Sequence, residues 1–162
     1  MKKISYLLIS LILLINISAC SGYKPIFSSS NLEFEIADYS ISGDKKLGNK
    51  IYVKLYNLSK ITKKTPDTKN IYIMIYVSQS KNATANDSTG KILGYRINLS
   101  TKITVRDLMA NDEMLNETFS FSSTYKVQNQ FSETKKLENQ IVENLIDKTY
   151  QELLIKLSES FL

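Results

Sequence analysis

Between Leu93 and Tyr125 apolar side chains recur at every second position in two successive runs, and no other stretch of the 162 residues constrains the fold as tightly. Leu93, Tyr95, Ile97, Leu99, Ile103 and Val105 share one parity, while Arg96, Asn98, Ser100, Lys102, Thr104 and Arg106 share the other. After a turn at Ala110-Asn111-Asp112, Leu115, Glu117, Phe119, Phe121, Ser123 and Tyr125 alternate with Asn116, Thr118, Ser120, Ser122 and Thr124. Successive side chains of a strand point to opposite faces, so each run reads as a strand with one packed face and one wet face. Joined by a polar turn, the two form a long antiparallel hairpin. Its apolar face has to be covered by other elements of the chain.

Those elements are legible on both sides. Leu32, Phe34 and Ile36 alternate with Glu33, Glu35 and Ala37 in a half-buried strand that Ser42-Gly43-Asp44 ends, offering a helix start. From Lys45 to about Ser59, Leu47, Ile51, Leu55 and Leu58 recur at helical spacing. Gly48 weakens that helix slightly, and the cluster Lys63-Lys64-Thr65-Pro66-Asp67 ends it in a loop. In the next strand Ile71, Ile73, Ile75 and Val77 line one face and Tyr72, Met74 and Tyr76 the other; Asn82 to Gly90 reads as a polar loop. The last element is a helix capped at Ser132 and running to about Glu159, roughly 40 Å long. Its stripe is Leu137, Ile141, Leu145, Leu153 and Leu157, widened by Val142, Ile146 and Tyr150. The expected fold is α+β, order β-α-β-β-β-α, with two helices packed on one face of a four-stranded mixed sheet. Its first strand, helix and second strand make a right-handed crossover.

Catalytic chemistry is thinly supplied. The chain has no histidine, no tryptophan and a single cysteine, and its five glycines form no phosphate-cradling run. The acidic residues are scattered, and the one adjacent pair, Asp112-Glu113, sits in a polar turn suited to solvation rather than to acid/base work. No cluster of oxygen ligands has metal-binding spacing. We therefore expect no enzyme activity, no cofactor, no metal and no nucleic-acid partner.

The N-terminus carries a different kind of signal. Lys2-Lys3 precede an apolar run from Ile4 to Ile17, which is short of the roughly 20 residues a bilayer span needs. The run ends in Ile17-Ser18-Ala19-Cys20, and the whole resembles the signal peptide and lipobox of a bacterial lipoprotein. The resemblance divides the chain into a signal peptide (1–19), a lipidated tether (20–30) and one α+β domain (31–162), with Cys20 acylated. Loss of Lys2 and Lys3 leaves 19 basic against 16 acidic side chains, a net +3. That modest excess is compatible with an anionic lipid and does not require a polyanion. Ser21, in place of aspartate, matches outer-membrane sorting by the rule of enteric bacteria.

Cys20, Gly22, Tyr23, Pro25, Ile26 and Phe27 follow the order of a motif: cysteine, glycine, aromatic, any residue, proline, small apolar residue, aromatic. Ser21 is an extra residue between its first two members. With the hairpin that begins Gly94-Tyr95-Arg96, the segment Ser120 to Tyr125 and the long last helix, the chain resembles the LPS-assembly lipoprotein family, LptE. The resemblance implies an outer-membrane, lipid-anchored, periplasm-facing protein. Such a protein plugs an LptD-type β-barrel, binds lipopolysaccharide and catalyses nothing. It casts Arg96, Lys102 and Arg106, with Lys91 just before them, as a cationic ladder over lipid phosphates, since alternate strand residues lie about 7 Å apart. The same residues also fit a solvated sheet face. Tyr72, Met74 and Tyr76 fit the barrel interface, or equally packing beneath a loop or helix. A competing reading is a periplasm-facing binding lipoprotein of a lipid or solute transporter, which would need a concave apolar pocket.

Overall fold

The computed structural model describes residues 32–61, 65–66 and 68–161. The expected signal peptide 1–19, the tether 20–30, Cys20 and the motif from Gly22 to Phe27 lie outside them.

Among the described residues six elements follow in the expected order: β1 (Phe34–Gly43), α1 (Lys45–Ile61), β2 (Lys69–Asn86), β3 (Ile92–Asp107), β4 (Asp112–Lys126) and α2 (Phe131–Ser160). The strands lie in sequence order, β1 parallel to β2 and the other neighbours antiparallel, so the sheet is mixed. Register aligns the apolar parity of each strand: Ile73 faces Val105 and Val105 faces Leu115, while Val77 faces Thr101 and Thr101 faces Phe119. These residues meet Leu47, Ile51 and Leu55 of α1 and Ile141, Leu145, Ile146, Leu153 and Leu157 of α2 in one buried core. Both helices thus cover the same face. A fully buried aliphatic side chain is worth about 1.5–3 kcal/mol against exposure, so this layer dominates stability.

Local chemistry explains the joints. The Asp44 side chain accepts the Leu47 N–H at 3.1 Å, and its carbonyl accepts that of Gly48 at 2.9 Å, which caps α1 at the Ser42-Gly43-Asp44 break. Gly48 has a packing role: a Cβ there would sit 2.5 Å from Ile41 Cγ2, so the missing side chain lets α1 settle onto the sheet. Lysines of α1 answer acids of α2, Lys50 pairing with Glu143 and Lys54 with Asp147 at 2.9 Å.

Three boundaries differ from the sequence reading. A bulge at Ala37 shifts β1 by one residue, so Ile36 pairs with Ile71 but Tyr39 with Ile73, and the helix-facing parity changes along the strand. β2 continues through Asn82–Asn86, expected as loop, because Ile92, Gly94, Tyr95 and Arg96 give it ladder partners. The remaining turn is held by Asp87, whose carboxylate accepts N–H groups of Thr89 at 2.8 Å and Lys91 at 3.0 Å. Finally, α2 begins at Phe131 with Gln130 rather than Ser132 as N-cap, and no side chain caps it. Thr134 instead accepts the Gln128 N–H through its hydroxyl at 2.8 Å.

Candidate functional site on the open face of the sheet

With both helices on one side, the even-numbered residues of β2, β3 and β4, joined by Glu113 where the β3–β4 register shifts after Val105, form a second face that no described element covers. Register orders them in rows across the sheet. Tyr72, Arg106 and Glu113 make the first row; Met74, Thr104 and Asn116 the next; then Tyr76, Lys102 and Thr118. Beyond these come Ser78, Ser100 and Ser120, then Ser80, Asn98 and Ser122, and last Asn82, Arg96 and Thr124. Thus Tyr72, Met74 and Tyr76 stand beside Arg106 and Lys102, which sequence reading had treated as separate groups.

The face is graded along its length. Tyr72 and Met74 are half-buried and Tyr76 is 51% exposed, while Thr104 among them is buried. The centre is a shallow trough of about 330 Å³ lined by Ser78, Ser80, Asn98, Ser100, Ser120 and Ser122. Its side chains bond one another: Asn98 Nδ2 donates to Ser80 Oγ at 3.2 Å, and Ser100 and Ser120 hydroxyls lie 3.3 Å apart. Short hydroxyl side chains leave the space above them open, so the trough offers donors and acceptors to a polar ligand without a steric wall. The parallel parity of serines on three strands was the signal for it, but reading it needs the register.

The cations do not form the expected ladder. Arg96 and Lys102 are six residues apart, about 20 Å, with the serine rows between; Lys102 and Arg106 are about 13 Å apart. Arg106 Nη2 lies 3.9 Å from Glu113 Oε2 in a solvent-exposed pair. Lys91 does not join this face. It sits in the β2–β3 turn and lines a cleft beside the start of α2. One extended ligand bridging Arg96 and Lys102 across the trough fits this spacing; a single phosphate does not.

The cleft near Lys91 was not foreseen. It has a volume of about 700 Å³ and combines Ile92, Leu93, Val127 and Phe131 with Lys81, Lys91, Lys135 and Glu138. Glu138 is its electrostatic centre, accepting bonds from Lys81, from Lys135 at 2.8 Å and from the Tyr125 hydroxyl at 2.7 Å. Burial would raise its pKa, but donation by Lys135, Lys81 and Tyr125 prevails and holds it down at about 2. The Lys81 ammonium, which burial alone would make more acidic, ends with a raised pKa because Glu138 and Tyr125 bond it. Lys81 also lies 4.1 Å from the centre of the Tyr95 ring.

Among the described residues no group of three or more acids, histidines or cysteines could hold a metal, and no helix is long and apolar enough to cross a membrane. No family model matches the chain, and no curated protein sequence does. Solved structures do share its fold. A lipoprotein from Caulobacter crescentus aligns over 81% of this chain and 90% of its own, with 12% identity and a TM-score of 0.52. The minor lipoprotein from Acinetobacter baumannii covers 78% of this chain and 93% of its own at 13% identity and a TM-score of 0.52. Lipoprotein B from Nitrosomonas europaea covers 77% and 84% at 11% identity, again with a TM-score of 0.52. At such identities the likeness is one of fold: a sheet with helices on one side recurs in these proteins.

Proposed function

We propose that this chain is a lipoprotein of the outer membrane, acylated at Cys20, that works by binding rather than catalysis. Its open sheet face docks against an LptD-type β-barrel and engages lipopolysaccharide during assembly. The observation that carries the reading is the face itself: a four-stranded sheet left uncovered on one side, apolar and aromatic at one end, hydroxyl-lined at the centre and cationic at Arg96, Lys102 and Arg106. An interface needs apolar anchors with satisfied polar surroundings, and a phosphorylated glycolipid needs hydroxyl partners with spaced cations. The N-terminal resemblance and the name lipoprotein carried by the structural neighbours support the anchored form.

A second reading, a binding lipoprotein of a lipid or solute transporter, draws on the 700 Å³ cleft beside Lys91 and Phe131. Affinity purification of the tagged lipoprotein in mild detergent from its native membranes, followed by mass spectrometry, separates the two. Recovery of a large outer-membrane barrel at near one-to-one supports the plug. Recovery alone would overturn it, and recovery with transporter subunits would replace it with the second reading.

A further inference from the structure

The β3–β4 turn has an apolar crown. Leu108 is 49% exposed and Met109 83%. The turn holding them is built: buried Asp107 accepts the N–H of Met109 at 2.8 Å and of Ala110 at 3.2 Å, and Asn111 takes the left-handed φ of 53° that closes it. Turn tips are ordinarily polar, and a fixed turn that holds two large apolar side chains in water marks a surface that something covers.

Its place in the fold indicates what. Leu108 N–H donates to the Asn70 carbonyl, and Lys69 N–H donates to that of Glu33, so the crown lies at the end where the domain takes up the chain from Cys20. Residues 20–31 span at most about 40 Å when fully extended, which puts an acylated Cys20 within that reach of this end and short of the opposite one. Ile61, 76% exposed, closes α1 eight residues before Lys69. The opposite end, with Phe131 and the β2–β3 turn, lies on the order of 50 Å away along β3. The four turn residues Leu108 to Asn111 carry no charge, so apolar area rather than charge would make a contact here.

We propose that the Leu108–Met109 crown inserts into the headgroup–acyl boundary of the leaflet that holds the Cys20 anchor. Before a barrel takes it up, the domain then stands end-on to the membrane with Phe131 pointing away. This rests on the lipoprotein reading for the anchor, but not for the crown itself. The acyl chains on Cys20 supply attachment, and a rigid apolar crown adds a second contact that sets orientation.

The chain contains no tryptophan, so Met109→Trp and Phe131→Trp each give a single reporter at opposite ends. The mature full chain is checked for acyl mass on Cys20, then added to phosphatidylcholine vesicles made with or without brominated acyl chains. The expected result for Met109→Trp is blue-shifted emission that brominated lipid quenches, alike at low and high salt. Phe131→Trp keeps water-like, unquenched emission. Unquenched emission from Met109→Trp, or equal quenching of both variants, overturns the proposal. A blue shift seen only when a co-purified barrel is bound overturns it in favour of a protein contact. Acyl mass present without quenching strikes the crown and leaves the anchor; quenching without acyl mass removes the anchor and supports the crown.

Discussion

Glu138 gathers donors from three elements, Lys81 on β2, Tyr125 on β4 and Lys135 on α2, into one small volume at the helix–sheet boundary. Its carboxyl titrates at about 2 in the fold against an ordinary 4.5, so it contributes stability above pH 4.5 that is lost as pH falls towards 2. Glu138→Gln should cost about 1–3 kcal/mol at neutral pH. Urea midpoints measured from pH 6 down to pH 2 should fall less steeply for the variant than for the parent chain. On the open face, Arg96 and Lys102 flank the serine trough. If the face binds lipopolysaccharide as proposed, replacing both with alanine should weaken that binding about tenfold, as removal of charge-assisted phosphate contacts does. Lys91→Ala should leave it unchanged, because Lys91 stands at the cleft and not on this face. Equilibrium binding to immobilised lipopolysaccharide checks both.

At the scale of elements, the strands whose pattern is strictly alternating were readable and the irregular ones were not. β3 and β4 have the paired faces their parity implies, since each side chain's preference agrees with its neighbour's. β2 outruns its apolar run because Asn82, Ala83, Thr84, Ala85 and Asn86, weak strand formers alone, are held by partners on β3; tertiary pairing overrides propensity. The bulge at Ala37 leaves no trace in composition. For the site, each strand's share of the open face was legible, but the joining of Tyr72 to Arg106 and of Tyr76 to Lys102 is a property of register. Tyr72→Glu with Tyr76→Glu should abolish co-purification of a barrel while far-UV circular dichroism stays unchanged, because these tyrosines lie away from the helix-covered core. Gly48 was read as a weakness of α1. Gly48→Ala gains up to about 1 kcal/mol of helix propensity but drives a Cβ against Ile41, at about 1–3 kcal/mol for overpacking. The net effect on thermal unfolding should be destabilising, and Gly48→Ala should cost less in a chain that already carries Ile41→Ala, which removes the Cγ2 methyl it meets.

The described residues make a half-sandwich: one core, two helices, and a sheet whose order β1-β2-β3-β4 gives β1 and β4 each one ladder partner among those residues. The two edges are not alike. β1 is interrupted by its bulge, whereas β4 runs regularly from Asn116 to Lys126. From Thr118 to Thr124 it carries no charge, no proline and no glycine, with Glu117 before it and Lys126 after. Such a window on an open edge is a template for like chains to add to. Free copies at high concentration should therefore convert into strand-paired assemblies, and anything that covers this edge should suppress the conversion. Ser122→Lys, placed in the middle of that window, should raise the concentration at which the chain first self-associates in sedimentation runs, with its melting temperature little changed.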